Sequence, residues 1–126
     1  MNVVDSSGWL EFFADGPNAE FFAPAIKNIG ELLVPTISIY EVFKRVLQQV
    51  DEEHALEAVA LMMAGLQVPL DVTVALAAAK LSDELKLPMA DSIMLATAQL
   101  NAAILWTQDA DFAAIDGVMY TPKPAA

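Results

Sequence analysis

Short, continuously apolar segments alternate with longer helical patterns along this chain, and the alternation strongly limits the folds it can adopt. These segments cover residues 2–5, 32–35, 67–71, 103–107 and 117–121. Each is too short and too continuously apolar to be a strand with one face in water. We therefore expect an α/β protein: a three-layer α/β/α domain whose central, mainly parallel sheet has four to five strands.

Helical patterns fill the intervals between the apolar segments. They cover approximately residues 6–14, 18–28, 36–50, 71–86 and 88–101, with a further helix beginning at Asp51. Asn18 is expected to cap the second helix, and Pro88 to be the first residue of the sixth. We expect one domain over residues 1–121 and a C-terminal tail over 122–126, which is rich in proline.

Composition restricts both the compartment and the partners. The chain has no cysteine, which excludes disulfides and cysteine-bound zinc. Its longest uncharged stretch, residues 92–108, is too short to span a bilayer, and Asp5 stands where a signal peptide would be apolar. We expect a cytoplasmic protein without membrane contact. A net charge of −11 should repel nucleic acid and favour a cation, a basic protein or a ligand docked through metal.

Four acidic residues occupy positions that set them apart from the other acids. Asp5 follows the first strand and Asp109 the fourth, and carboxyl ends of parallel strands meet at one edge of a sheet. Asp91 lies in the first turn of an almost wholly apolar helix, where an unpaired carboxylate is costly. Glu41 lies about one turn into the helix after the second strand. Alternatively, Asp5 and Asp109 are helix caps, and Glu41 pairs with Arg45 on an exposed face.

Taken together, these four carboxylates predict a metal site. Unpaired carboxylates repel one another and raise one another's pKa values, and a bound Mg²⁺ or Mn²⁺ removes that repulsion. Such an ion polarises a phosphoryl oxygen and activates a water molecule for attack on phosphorus. The predicted chemistry is therefore metal-assisted hydrolysis of a phosphate ester.

Four segments resemble the motif regions of PIN-domain ribonucleases. Within that family, the chain is most similar to the VapC-type toxins of toxin–antitoxin pairs. The segments are MNVVDSSGWLEFF, TISIYEVFKRV, LAAAKLSDELKLPMADSIMLATAQL and ILWTQDADF, in the family's order. The resemblance implies a Mg²⁺- or Mn²⁺-dependent endoribonuclease that acts on RNA and usually forms a homodimer. It also implies an antitoxin partner whose C-terminal segment occupies the active-site groove, and the charge of −11 suits a basic segment.

The same resemblance assigns roles to the acidic residues. It makes Asp5, Glu41 and Asp91 the first three metal ligands or ligand-orienting groups. Asp109 is the fourth, with Asp111 as a nearby acid, and the division between these two stays open.

Polar and basic neighbours complete the predicted site. By the resemblance, Ser6 and Thr107 can hydrogen-bond within it. Lys44 and Arg45, one turn beyond Glu41, are candidate contacts for RNA phosphates, although the sequence favours the alternative that they are simply exposed helix charges.

Two other functions stay open from the sequence. A receiver-type phosphoacceptor domain is also short, acidic and Mg²⁺-dependent, and Thr107 with Lys123-Pro124 resembles its switch residues. However, serine follows Asp5 where a receiver has a second acid, and Asp71, the candidate phosphoacceptor, comes late. The second alternative is a non-catalytic PIN-like module that binds a basic protein.

Overall fold

The computed structural model describes residues 1–125, which form five strands and six helices. The strands are β1 (Asn2–Val4), β2 (Leu32–Pro35), β3 (Leu66–Val68), β4 (Ile104–Thr107) and β5 (Val118–Tyr120). The helices are α1 (Ser6–Phe13), α2 (Ala19–Lys27), α3 (Thr36–Gln49), α4 (Glu52–Met62), α5 (Val72–Leu85) and α6 (Met89–Leu100). Two 3₁₀ turns, Ile29–Glu31 and Ala110–Phe112, precede β2 and follow β4.

All five strands pair in parallel, in the order β3-β2-β1-β4-β5. Successive side chains of a strand point to opposite faces, so β1 contributes Val4 to one apolar core and Val3 to the other. The first core contains Trp9 of α1 and Phe22 of α2, and the second contains Met94 of α6. Helices therefore cover both faces, which confirms the predicted three-layer α/β/α architecture.

The strand order reverses direction beside β1. The chain builds β1, β2 and β3 outward on one side, then returns across the sheet to add β4 and β5 on the other. Connections leave β1 and β4 in opposite directions, so a crevice opens at their carboxyl ends, where α/β sheets bind ligands. Helix α6 feeds the amino end of β4, and its first turn therefore lies at this same edge.

Three local predictions were wrong, each for a physical reason. Strand β3 spans Leu66–Val68 rather than 67–71, because Pro69 lacks a donor and Asp71 instead caps α5. Asn18 precedes α2 without making a capping bond, because its backbone (φ −97°, ψ 8°) is not in the extended conformation of a capping residue. Pro88 is the residue before α6 rather than its first residue.

The extent of the domain stays a prediction at its C-terminal end. Residues 121–125 form neither helix nor strand, and Ala126, the end of the predicted tail, lies outside the described residues. Within residues 1–125, no helix is both long and apolar enough to cross a membrane.

Candidate active site

A cleft of about 440 Å³ opens at the carboxyl edge of the sheet, above β1 and β4. Its walls come from α1, α3, the start of α6 and the loop after β4. Asp5, Glu41, Asp91 and Asp109 all line it. The structure thus brings together the four acids that the sequence analysis singled out, two by their strand ends and two by their places in helices, although they are spread over more than a hundred residues of sequence.

Asp5 is the most rigidly held of these acids, with only 3% of its surface exposed. Its Oδ1 accepts hydrogen bonds from the backbone N–H of Gly8 at 2.8 Å and from Ser7 Oγ at 3.0 Å. Its Oδ2 accepts one from Thr107 Oγ1. Asp5 is therefore both the N-cap of α1 and a wall of the cleft, so the two alternatives for it coexist. A carboxylate offers about four acceptor positions, so these donors leave room for little more than one further ligand.

The Thr107 hydroxyl connects two acids of the cleft. While it donates to Asp5, it accepts a hydrogen bond from the backbone N–H of Asp109 at 2.9 Å. Asp109 also caps the following 3₁₀ turn, because its Oδ1 accepts from the N–H of Asp111 at 2.9 Å. Among the described residues no hydrogen bond engages Asp109 Oδ2, which leaves that oxygen available to a ligand.

Glu41 reaches the cleft from the second turn of α3 and is half-buried. Ser6 Oγ donates a hydrogen bond to Glu41 Oε1 at 2.7 Å, as the predicted supporting role of Ser6 requires. No ion pair joins Glu41 to Arg45 in the part of the chain that the structure describes. Arg45 and Lys44 instead line the cleft beside Glu41.

Asp91 has a pKa well above that of an ordinary aspartate. Burial in the first turn of α6 raises its pKa to about 7, with further contributions from Asp109, Asp5, Glu41 and Asp111 in that order. Burial likewise raises the pKa of Asp5, against the lowering effect of its hydrogen bonds. Among residues 1–125 no basic side chain forms an ion pair with any of these acids. Among these residues, no direct ion pair thus offsets the negative charge of the cluster.

The chemistry of these side chains fits a hard divalent cation. Carboxylate oxygens of Asp91, Asp109 and Asp111 lie within 4.8 Å of one another, close enough to share one ion. Asp111 is exposed and does not line the cleft, whereas Asp91 and Asp109 belong to both groups. Oxygen donors without a basic partner are the ligands that Mg²⁺ and Mn²⁺ prefer.

A comparison with protein-family models identifies the fold family. The model described as the PIN domain matches residues 3–118, nearly the whole chain. The chain belongs to the PIN domain family. This assignment removes the receiver-type alternative, and Asp71, its candidate phosphoacceptor, is an exposed cap of α5 that lies outside the cleft.

Solved structures of toxin–antitoxin proteins share this PIN fold. A chain of a toxin–antitoxin complex from Klebsiella pneumoniae is 25% identical, with a TM-score of 0.81 over 99% of this chain and 100% of that one. VapC20 of Mycobacterium tuberculosis, described as a sarcin–ricin loop cleaving toxin, is 17% identical (TM-score 0.78; 97% and 100% covered). A chain of VapBC2 from Rickettsia felis, bound to promoter DNA, is 14% identical (TM-score 0.73; 96% and 97% covered). The last two likenesses show the fold alone. No curated protein sequence matches significantly.

Sequence reasoning missed several residues that shape the cleft of this PIN domain. Ser7 was passed over, although a serine two residues after Asp5 is a usual partner for a capping carboxylate. Gln108 Oε1 accepts a hydrogen bond from Asn18 Nδ2 at 3.0 Å, which ties the loop carrying Asp109 to the start of α2. No local sequence pattern predicts that contact, because it forms only when the folded sheet brings the two segments together. Tyr40, also missed, lines the cleft beside Glu41.

Proposed function

We propose that this protein is a Mg²⁺- or Mn²⁺-dependent endoribonuclease that hydrolyses RNA phosphodiester bonds, and that it is the toxin of a toxin–antitoxin pair. The observation that carries the proposal is the convergence of Asp5, Glu41, Asp91 and Asp109 on one cleft of a PIN domain. RNA as the substrate class follows from the resemblance of the four sequence motifs to those of PIN-domain ribonucleases.

The proposed metal ligands are Asp91 and Asp109, assisted by Asp111, Glu41 and Asp5. Asp91 and Asp109 belong both to the cleft lining and to the group of oxygens that lie within 4.8 Å of one another. The hydrogen-bonded state of Asp5 favours a role in orientation as much as in ligation. A bound divalent cation would supply charge neutralisation at the phosphate and a water of lowered pKa.

The chain's own polar groups would hold the reacting parts in place. Ser6 fixes Glu41, and Thr107 fixes Asp5 relative to the backbone of Asp109. Such orienting hydrogen bonds typically contribute about 10–100-fold to metal affinity or activity. We propose that Lys44 and Arg45, at the edge of the same cleft, contact RNA phosphates.

We further propose an antitoxin partner with a basic segment, and a homodimer. A chain with a net charge of −11 attracts a basic peptide, and the acidic cleft is the natural place for it to lie. The likeness to a chain of a toxin–antitoxin complex supports this class of partner. Action in the cytoplasm, where RNA and such a partner would be met, belongs to the same proposal.

The test compares RNA cleavage by the purified protein with that of two Asp→Asn variants. We expect cleavage in Mg²⁺ or Mn²⁺ and none in EDTA. Asp91→Asn should lower the rate by about a hundredfold or more, since it removes a proposed ligand. Asp116→Asn, an exposed acid outside the cleft, is the matched control and should keep full activity.

Two outcomes would contradict the proposal. Cleavage that persists in EDTA would contradict the proposed metal dependence. Full activity of Asp91→Asn in Mg²⁺ would contradict the assignment of Asp91 to the active site. Tight binding of a basic peptide by a protein that cleaves no RNA under any metal would favour the non-catalytic module instead.

A further inference from the structure

Tyr40 is unusual among the aromatic residues of this protein because its side chain lies mostly in solvent. Its surface is 60% exposed, and within residues 1–125 every other Phe, Tyr and Trp is buried or half-buried. Single exposed apolar residues are ordinary on protein surfaces, so exposure alone assigns no role. The location of Tyr40 is what indicates a role for its exposed ring.

The ring lies on the wall of the acidic cleft. Tyr40 precedes Glu41 on α3, and both residues line the cleft together with Lys44, Arg45 and Gln48. Lys44 Nζ lies 5.7 Å from the centroid of the Tyr40 ring, within the range of a cation–π contact. One flank of the cleft therefore presents an aromatic face and two positive charges next to the carboxylates.

We propose that Tyr40 stacks against an unpaired base of the RNA, next to the phosphate held in the cleft, while Lys44 contacts the adjoining backbone. This inference rests on the proposed RNA substrate. An aromatic face beside lysine and arginine is the pairing by which proteins hold single-stranded nucleic acid, because every base has a π face. Tyr40 would be a binding residue rather than a catalytic one.

The charge of the protein favours this assignment. With 6 basic residues against 17 acidic ones, the chain has few groups to attract phosphates. Stacking requires no positive charge, so it supplies affinity that electrostatics here does not. It also favours single-stranded regions, since a base inside a duplex has no free face to offer.

The competing use of Tyr40 is contact with a second protein chain. Tyr40 also borders an apolar surface formed by Ile39, Phe43 and Leu47 of α3. Contact with protein would involve Leu47 as much as Tyr40, whereas RNA in the cleft would not meet Leu47, which does not line it. Leu47→Ala therefore separates the two uses.

The experiment measures binding of a fluorescently labelled single-stranded RNA by anisotropy, in Mg²⁺ and over a series of salt concentrations. All proteins carry Asp91→Asn to suppress cleavage. Tyr40→Ala should weaken binding by about tenfold at every salt concentration, as expected for loss of one stacked base. Tyr40→Phe should stay within about twofold because it keeps the ring. Lys44→Ala should instead reduce the salt slope, by about 0.7 for one lost phosphate contact.

Unchanged affinity of Tyr40→Ala would overturn the inference. So would a parallel loss in Tyr40→Ala and Leu47→Ala accompanied by a change in oligomeric state in sedimentation, which would make Tyr40 a protein contact. Cleavage of RNA by the protein without Asp91→Asn is assayed separately. Cleavage with no Tyr40 effect on binding refutes this inference alone, and Tyr40-dependent binding without cleavage refutes only the nuclease proposal. Absence of both RNA binding and RNA cleavage refutes both.

Discussion

Thr107 contributes more to the cleft than its size suggests. Its hydroxyl donates to Asp5 and accepts from the backbone of Asp109, so one oxygen atom fixes the ends of β1 and β4 relative to each other. The side chain is completely buried, which prevents water from replacing either bond. Loss of the hydroxyl should therefore affect stability and activity together.

Replacing Thr107 by valine tests that coupling. Thr107→Val keeps the shape but removes the donor to Asp5, and an unsatisfied buried group costs about 1–3 kcal/mol. We expect a loss of unfolding free energy in this range, measured by urea titration in EDTA, and slower RNA cleavage. Thr107→Ser, which keeps the hydroxyl, is the control. Equal stability of the valine variant and the original protein would show that the hydrogen bond contributes nothing.

The raised pKa of Asp91 makes the stability of the metal-free protein depend on pH. Its pKa is about 7 in the folded protein against an ordinary value of 3.8. Between these values the folded state holds a proton that the unfolded chain has lost, so stability falls as the pH rises through this window. Urea unfolding in EDTA at a series of pH values should show the decline, and Asp91→Asn should reduce it.

The comparison with the variant matters because other groups titrate too. His54 has a raised pKa from its hydrogen bond to Asp51, so its contribution is lost as the pH rises through that raised value, above the ordinary 6.5. That decline occurs equally in both proteins. Identical pH profiles for Asp91→Asn and the original protein would contradict the assignment of the effect to Asp91.

At the level of elements, α1 is pressed closely against its neighbours at Gly8. A Cβ added there would lie 2.6 Å from the ring of Phe22 and 2.8 Å from Val4 Cγ1, both fully buried. The backbone N–H of Gly8 also donates to Asp5 Oδ1, the bond by which Asp5 caps α1. The absence of a side chain thus allows the helix start, and Asp5 with it, to sit directly on the sheet.

Gly8→Ala should accordingly be destabilising, even though alanine is the better helix former. We expect a loss of about 1–3 kcal/mol, typical of an overpacked core, to exceed the gain of about 1 kcal/mol in helix propensity. Chemical denaturation measures it. Gly30→Ala, where an added Cβ meets nothing within 4 Å, is the control and should cost little. A more stable Gly8→Ala protein would mean that α1 can shift to accept the added Cβ without losing its packing against the sheet.

Elements were predictable where one physical cause dominated. Continuous apolar runs bounded by helix caps indicated all five strands, because only a sheet covered on both faces buries such runs. The boundary of β3 was missed because this edge strand is short, contains the polar Gln67 and leaves Leu66 exposed, so hydrophobicity marks it weakly. The α6 start was displaced by one residue, within the usual fraying of helix ends.

The sequence predicted that the acidic residues would lie together, but it did not predict the hydrogen bonds that connect them. Strand ends and a costly carboxylate in α6 pointed to Asp5, Asp91 and Asp109, because parallel strands gather their carboxyl ends. The hydrogen bonds of Thr107 and the contact of Gln108 with Asn18 depend on distances set only by the folded sheet. Sequence position says nothing about those distances, so the roles of individual ligands stay a prediction.

For the whole molecule, the net charge of −11 makes cation binding a stabilising event. A cation that binds only the folded protein raises its stability in proportion to the logarithm of its concentration. Added Mn²⁺ should therefore raise the thermal unfolding midpoint at neutral pH, in step with the logarithm of its concentration once that concentration exceeds the dissociation constant, and scanning calorimetry can follow the rise. Asp91→Asn should shift the response to higher Mn²⁺ concentrations, whereas Asp116→Asn should not. An equal response in all three would indicate only general screening of charge.

The central position of β1 has a consequence for biosynthesis. Residues 2–4 of β1 pair with residues 104–106 of β4. One edge of β1 therefore stays unpaired until β4 has been synthesised. Asp5 likewise meets Thr107 only when the chain through β4 has emerged from the ribosome. Long-range parallel pairing of this kind forms slowly and late. A nascent chain that stops before β4 therefore lacks Thr107 and Asp109, and the proposed nuclease could not act on RNA near its own ribosome before β4 and the loop after it have been made.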